Sequence, residues 1–246
     1  MAYQTAFLKS NYPAEYLSAC LTAVKRDKDR TAIFLSEARE MGVKVNTPDI
    51  NLSSEDFSVN NGEILFGLSA IRNVGDVTAQ KIIIERQNSD YESIQDFLTR
   101  MDSRSLNKRG IEALVQGGAF DKFGFPRKGI YEKIIDLIED AKDLKSTKNS
   151  AQGSLFEFDD NGINKTIIED VEWDKKEYLN REREMLGFFV SEDPLDGYGE
   201  VLRSESTHSI IELVSSEDEE EISVVISGLF SNVQKRVSRK GNPWIQ

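Results

Sequence analysis

Leu68-Ser-Ala-Ile-Arg-Asn-Val-Gly-Asp-Val-Thr-Ala-Gln-Lys-Ile-Ile83 is the stretch whose reading decides the fold. It reads as a short helix, a tight hairpin centred on Asn73, Val74 and Gly75, and a second helix starting near Asp76. A turn of this kind leaves the first backbone N–H groups of the second helix unpaired and outward-facing. With the helix dipole behind them, they form a ready anion site. Gly75 is expected to supply a positive φ and room for a bulky anion, and Asn73 is a residue type that tolerates the left-handed region. Two readings follow: a helix-hairpin-helix that grips a nucleic-acid phosphate without reading sequence, or a plain connector between packed helices.

The surrounding pattern is mainly helical. Helices are expected from Pro13 through Val24, with Tyr16, Leu17, Cys20, Leu21 and Val24 on one face. A second runs over 29–41, with Phe34, Ala38 and Met41 on one face and Gly42 as the stop. Residues 56–66 read as a β-hairpin turning at Asn61 and Gly62. Helices at 94–101 and 108–116 end at Gly117 and Gly118, and one long amphipathic helix is expected over 127–144. Its apolar face is Ile130, Tyr131, Ile134, Ile135, Ile138 and Ala141. Residues 145–174, rich in Ser, Asn, Asp and Gly, read as a linker. A charged helix over 174–186 follows it. Residues 222–230 alternate like a strand, 232–239 continue as a second, and a turn at 240–242 leads into Pro243, Trp244 and Ile245. This pattern reads as the opening of a small β-barrel that stops before it could close, so a fragment of a longer chain is expected.

Composition narrows the chemistry. The 246 residues carry a net charge of −12, which argues against a generic nucleic-acid coat. The charge is uneven: residues 68–128 hold ten Lys/Arg against eight Asp/Glu, with Arg100, Arg104, Lys108 and Arg109 clustered. The acidic extreme at 217–221 reads as a solvated loop. One cysteine, Cys20, and one histidine, His208, cannot make an internal disulfide or a Cys/His zinc site. No Ser lies in a nucleophile motif that His208 could serve. No apolar run reaches membrane-spanning length, and residues 1–9 lack a signal-peptide pattern. A reducing, cytoplasmic location with no membrane partner is expected.

Three groups of motifs, in this order, resemble the bacterial C-family replicative DNA polymerases, the family of the polymerase III alpha subunit. The first is Ala2-Tyr-Gln-Thr-Ala-Phe-Leu-Lys-Ser-Asn-Tyr-Pro-Ala-Glu-Tyr16, continued by Thr47-Pro-Asp-Ile-Asn51 and Gly62-Glu-Ile-Leu-Phe-Gly-Leu68. The second is the hairpin above, then Leu106-Asn-Lys-Arg-Gly-Ile-Glu-Ala-Leu114 and Gly118-Ala-Phe-Asp121. The third is Gln152-Gly-Ser-Leu-Phe156, Arg181-Glu-Arg-Glu-Met-Leu-Gly187 and Asp193-Pro194. The resemblance covers essentially the whole chain.

It implies a mainly α fold with a small β-hairpin, a tandem helix-hairpin-helix core and a truncated OB-like barrel start. The implied organisation is the end of a fingers domain over 1–50 and a duplex-binding helix-hairpin-helix domain over 51–145. A linker with a clamp-binding motif spans 146–173, a helical connector 174–220 and an incomplete OB-fold 221–246. The implied DNA contacts are the backbone around Asn73, Val74, Gly75, Asp76 and Val77, with Thr78 and Lys81 beside them and Lys108 and Arg109 as second candidates. For Lys108 and Arg109 a solvated helix start is the competing reading. The implied sliding-clamp (beta subunit) peptide is Gln152, Gly153, Ser154, Leu155 and Phe156. Leu155 and Phe156 would fill an apolar pocket and the Gln152 amide would give directional bonds; these residues could instead pin the linker to this chain's own domain.

Lys235, Arg236, Arg239 and Lys240 fit a single-strand-binding face of the OB-fold, and Trp244 could stack on a base there but reads rather as core, since an alternating strand buries one face. Other replicase holoenzyme subunits are implied partners. The family's palm aspartates and their two Mg²⁺ ions are not matched by any motif here, so no catalytic residue, metal or cofactor is assigned to this chain. The alternatives are a free-standing helix-hairpin-helix repair adaptor and a repair nuclease, which would need a clustered carboxylate site. The error-prone branch of the same polymerase family generally lacks the clamp peptide.

Overall fold

The computed structural model describes residues 2–102, 106–149, 166–195, 197–208, 213, 223–228, 235–237 and 243–245. The chain divides into two units, Met1–Glu192 and Asp193–Gln246.

The first unit is mainly helical. Helices α1 (Ala2–Asn11), α2 (Pro13–Val24) and α3 (Lys28–Glu40) open it. Pro13 occupies the first turn of α2, where its missing N–H costs nothing. Leu17 and Leu21 of α2 and Leu35 and Ala38 of α3 are buried in the common core. Cys20, expected in that core, is only half-buried, and Met41 is exposed, because it follows the end of α3.

A three-stranded sheet comes next. Strands β2 (Ser58–Asn60) and β3 (Glu63–Leu65) form the expected hairpin, with Asn61 and Gly62 both at positive φ. A two-residue loop with this geometry matches the right-handed twist of the strands. The sequence pattern did not reveal β1 (Val45–Asn46), which pairs parallel to β3. Phe57 and Phe66 meet edge-to-face under the sheet at 4.7 Å.

A 3-10 turn (Leu68–Ala70) leads through the hairpin into α4 (Asp76–Arg86), then α5 (Ile94–Arg100) and α6 (Lys108–Gln116). A run of edge-to-face aromatic pairs, Tyr91 to Phe97 and Phe97 to Phe120, forms the centre of this region. The expected single helix over 127–144 is two, α7 (Arg127–Glu132) and α8 (Ile134–Asn149), broken at Lys133. The break rotates the apolar face: Ile134, Leu137 and Ala141 are buried, whereas Ile135, expected inside, is exposed.

Of the linker expectation, residues 150–165 lie outside the described residues. Residues 166–173 run back along α7 and α8: Asp140 accepts from the Thr166 N–H at 2.9 Å, and the Val171 carbonyl from Gly129. Trp173 is buried, edge-on to Tyr131 and stacked under the Arg181 guanidinium at 4.4 Å. Helix α9 (Lys175–Leu186), capped by Asp174, closes the unit.

A buried guanidinium connects these helices. Arg127 bonds Asp121, the Gln116 carbonyl and Glu182, and lies over the Tyr178 ring at 4.4 Å. Burial alone would lower its pKa, but the hydrogen bond and charge of Asp121 more than offset this and hold it raised. Glu182 is fully buried, and its other oxygen accepts from the Val190 and Ser191 N–H groups.

The second unit contains α10 (Gly199–Glu205) and an antiparallel ribbon of β4 (Lys235–Val237) and β5 (Pro243–Ile245), with Arg236 opposite Trp244. The strand expected over 222–230 does not form in its described part, residues 223–228. Val225 and Ile226 are half exposed there, with no sheet face to bury them. The Thr207 hydroxyl and N–H take up the Val225 main chain instead. The described residues therefore show a ribbon and no OB-like barrel. Arg239 and Lys240 of the expected single-strand face lie outside them.

Removing Arg127 leaves the buried Glu182 carboxylate without its cation, which costs about 3–5 kcal/mol. Arg127→Met should lower the urea midpoint accordingly, and Arg127→Met with Glu182→Leu should recover much of the loss. An Arg127→Met midpoint equal to the parent's would show that this network does not hold the helices together.

Candidate nucleic-acid interface

The hairpin before α4 is anchored from both sides. The Arg72 N–H donates to the Met185 carbonyl at the end of α9, and the Val74 N–H to the Ile71 carbonyl. Val74 is 3% exposed, so it anchors the turn in the core. Asn73 adopts the left-handed conformation at φ 64°. Gly75 does not: its φ is −80° and ψ 164°, which corrects the expectation of a positive φ there. With Asn73 already making the reversal, Gly75 serves as the N-cap of α4 in extended geometry, open to any residue.

Helix starts differ in their capping: α4, like α2 and α10, has no side-chain cap. Helices α3, α5, α6 and α9 begin at Asp27, Ser93, Asn107 and Asp174, and each side chain accepts an N–H of the first turn. Helix α7 lacks its own cap, but the Glu172 carboxylate accepts from the Arg127 and Lys128 N–H groups. Gly75 provides no side-chain cap. The Ala79 N–H bonds the Gly75 carbonyl, so the N–H groups of Asp76 and Val77 precede the helical ladder. A Cβ on Gly75 would meet no atom of the protein within 4 Å. The space in front of this helix end is open.

The sequence candidates fall in a connected region. Val77 is 66% exposed at the second position of α4, Thr78 is half-buried and Lys81 exposed one turn on. Lys108 and Arg109 are exposed in the first turn of α6. The two helix starts are neighbours because Gly110 lets them be: a Cβ there would lie 2.8 Å from Leu106 Cδ1 and 3.4 Å from the Asn73 carbonyl oxygen. A glycine inside a helical run was the one sequence signal for this approach. Lys108 also pairs with Glu112 at 3.5 Å.

Arg100, grouped in the sequence with these cations, does different work. Its guanidinium bonds the carbonyls of Glu85, Ser89 and Asp90 and thereby caps the C-terminal end of α4. Arg104 and the clamp-like peptide Gln152, Gly153, Ser154, Leu155 and Phe156 lie outside the described residues.

Asp76 presents a charge opposite to that expected at an anion site. It favours the helix N-terminus but would repel a phosphate. Two cations that sequence reasoning missed offset it: Lys25 and Arg26, at the end of α2, approach its two oxygens at 3.2 Å each. Lys25 also bonds Asp56 and Ser69, tying α2 to the hairpin. The hydrogen bond from Lys25 and its charge hold the Asp76 carboxyl below its ordinary value. Burial would lower Lys25, but Asp56 and Asp76 overcome that and raise it. Among the described residues no group of three His, Cys, Asp or Glu is placed to hold a metal, and no helix is long and apolar enough to cross a membrane.

A family model described as a helix-hairpin-helix motif matches residues 42–130. The chain is also similar along its length to proteins named DNA polymerase III subunit alpha. It is 39% identical to that of Saccharopolyspora erythraea over 99% of this chain and 21% of the relative. It is 34% identical to that of Mycobacterium tuberculosis over 99% of this chain and 21% of the relative. It is 34% identical to that of Borreliella burgdorferi, over 98% of this chain and 21% of the relative. The chain thus spans about one fifth of the length of the curated relatives it matches.

A depressed folded-state pKa at Asp76 means that its link to Lys25 stabilises the fold above the unfolded carboxyl value and fades as pH falls through the folded one. The Asp76 carboxyl carbon, followed by NMR, should titrate below 3.8 in the parent and move up towards that value in Lys25→Met. The same midpoint in both proteins would remove Lys25 as the cause.

Proposed function

The chain is a relative of the bacterial DNA polymerase III alpha subunits along 99% of its length, and on that premise we propose that it is the part of such a polymerase that holds duplex DNA by its phosphates and carries the peptide for the sliding clamp. The observation that supports this most is the open, uncapped start of α4, inside a helix-hairpin-helix match and beside the exposed Lys108 and Arg109. Main-chain N–H groups of Asp76 and Val77 bind a phosphate oxygen, and the two cations take a neighbouring one. None of these groups reads a base edge, so binding is independent of sequence. With a few phosphate contacts, the logarithm of affinity falls against the logarithm of salt with a slope of roughly −2 to −4.

The clamp reading rests on the resemblance of residues 152–156 and on their position in the order of motifs. As a short peptide, the segment binds weakly, on the order of micromolar. DNA held at the same time by polymerase and clamp raises the effective concentration and gives processivity. In the longer enzyme, polymerisation is DNA-directed nucleotidyl transfer with Mg²⁺. The part proposed for this chain in that enzyme is binding. A cytoplasmic location and contacts with other replicase subunits belong to the same reading. The repair-adaptor alternative is weaker, since the likeness to the polymerases extends far beyond the hairpin on both sides.

Gly75→Ser separates stability from binding. The serine hydroxyl caps α4 and stabilises the fold by a few tenths of a kcal/mol, while it occupies the N–H groups and the space that a phosphate needs. A slightly raised melting temperature with weaker duplex binding by fluorescence anisotropy is expected; unchanged binding would refute the hairpin grip. Leu155→Ala with Phe156→Ala should abolish clamp binding measured by calorimetry, and unchanged affinity would eliminate the clamp assignment.

A further inference from the structure

The turn between α2 and α3 was not among the sequence candidates and lies outside the helix-hairpin-helix match. It reads Lys25-Arg-Asp-Lys-Asp-Arg30. Arg26 and Arg30 are 83% and 71% exposed, and Lys28 is exposed between them. Lys25, Arg26 and Arg30 border an open cleft of about 360 Å³. Arg26 and Lys25 reach the first residue of α4 through Asp76, so this basic rim is joined directly to the open helix start. Lys25 is largely buried, and it holds Asp56, Ser69 and Asp76 together, which fixes the distance between turn and hairpin.

We propose that the α2–α3 turn is a second phosphate-binding surface, in which Arg26 and Arg30 take up the DNA backbone next to the phosphate held at α4. The proposal rests on the duplex-binding reading above and extends it beyond the hairpin. The occupant is a polyanion, because one cation would suffice for an isolated phosphate. The cleft's three flanking cations and its continuity with the α4 start fit a strand that runs past both. Of the turn's two acids, Asp27 is occupied as the cap of α3, where it accepts the Arg30 N–H, and Asp29 sits exposed in the first turn of that helix, leaving four cations against two acids. Arg30 also approaches the Asp27 carboxylate at 3.5 Å, which orients the guanidinium at the rim.

The test is fluorescence anisotropy of the whole chain with a labelled 20-base-pair duplex, titrated over a range of salt. Three variants are compared with the parent: Arg26→Ala with Arg30→Ala, Gly75→Ser, and Lys142→Ala with Lys176→Ala as an equal loss of exposed charge on α8 and α9. Each lost phosphate contact removes about 0.9 from the salt slope. The turn variant should therefore lose roughly 2 in slope and bind at least about tenfold more weakly near 0.1 M salt, while the equal-charge control stays near the parent. A turn variant that matches the control overturns the second surface; if Gly75→Ser still weakens binding in that experiment, the hairpin grip stands without it. A parent chain with no measurable duplex binding overturns both.

Discussion

The buried Arg127 guanidinium governs the arrangement. It draws the end of α6, the Asp121 turn and α9 onto one cation, and through Glu182 it also fixes the main chain of Val190 and Ser191. A network of this kind is weak evidence for net stability, since apolar residues could fill the same space, but once built it tolerates no missing partner. Its consequence for the hairpin is positional. With α9 locked, the Met185 carbonyl is held where it receives the Arg72 N–H, and the turn into α4 inherits a fixed entry angle. An anion site made from main-chain N–H groups has no side chains to adjust, so its geometry depends on that rigidity.

Local signals explain most of what could be read without the structure. Asn61 and Gly62 mark their turn because both must take positive φ, and Pro13, Asp174 and the Gly117–Gly118 pair mark helix ends by chemistry that operates within a few residues. Distant pairings were opaque. Nothing near Arg127 names Glu182 as its partner, 55 residues on. Strand β1 is two residues long and carries no periodicity. The break at Lys133 was hidden because Ile134 and Ile135 fit either helix phase, and only packing chose Ile134.

The site divides the same way. The hairpin and its following helix were legible, as was the pairing of Lys108 with Arg109 at the next helix start. The role of Gly75 was misread: Asn73 makes the reversal, and what Gly75 contributes is the lack of a cap. That absence shows only in the fold, where α3, α5, α6 and α9 are capped by Asp27, Ser93, Asn107 and Asp174 and α4 is not. Lys25 and Arg26 went unnoticed because their partner Asp76 is fifty residues away in the chain. Arg100, part of the basic cluster in the sequence, completes the far end of α4 in the fold.

The central claim is that phosphate is held by the main chain at the start of α4. It is tested most directly by amide NMR of the ¹⁵N-labelled chain titrated with duplex DNA. The Asp76 and Val77 N–H signals should move downfield first and furthest, and added salt should reverse the movement. Shifts confined to other surfaces, with those two signals unmoved at saturating DNA, would contradict the claim.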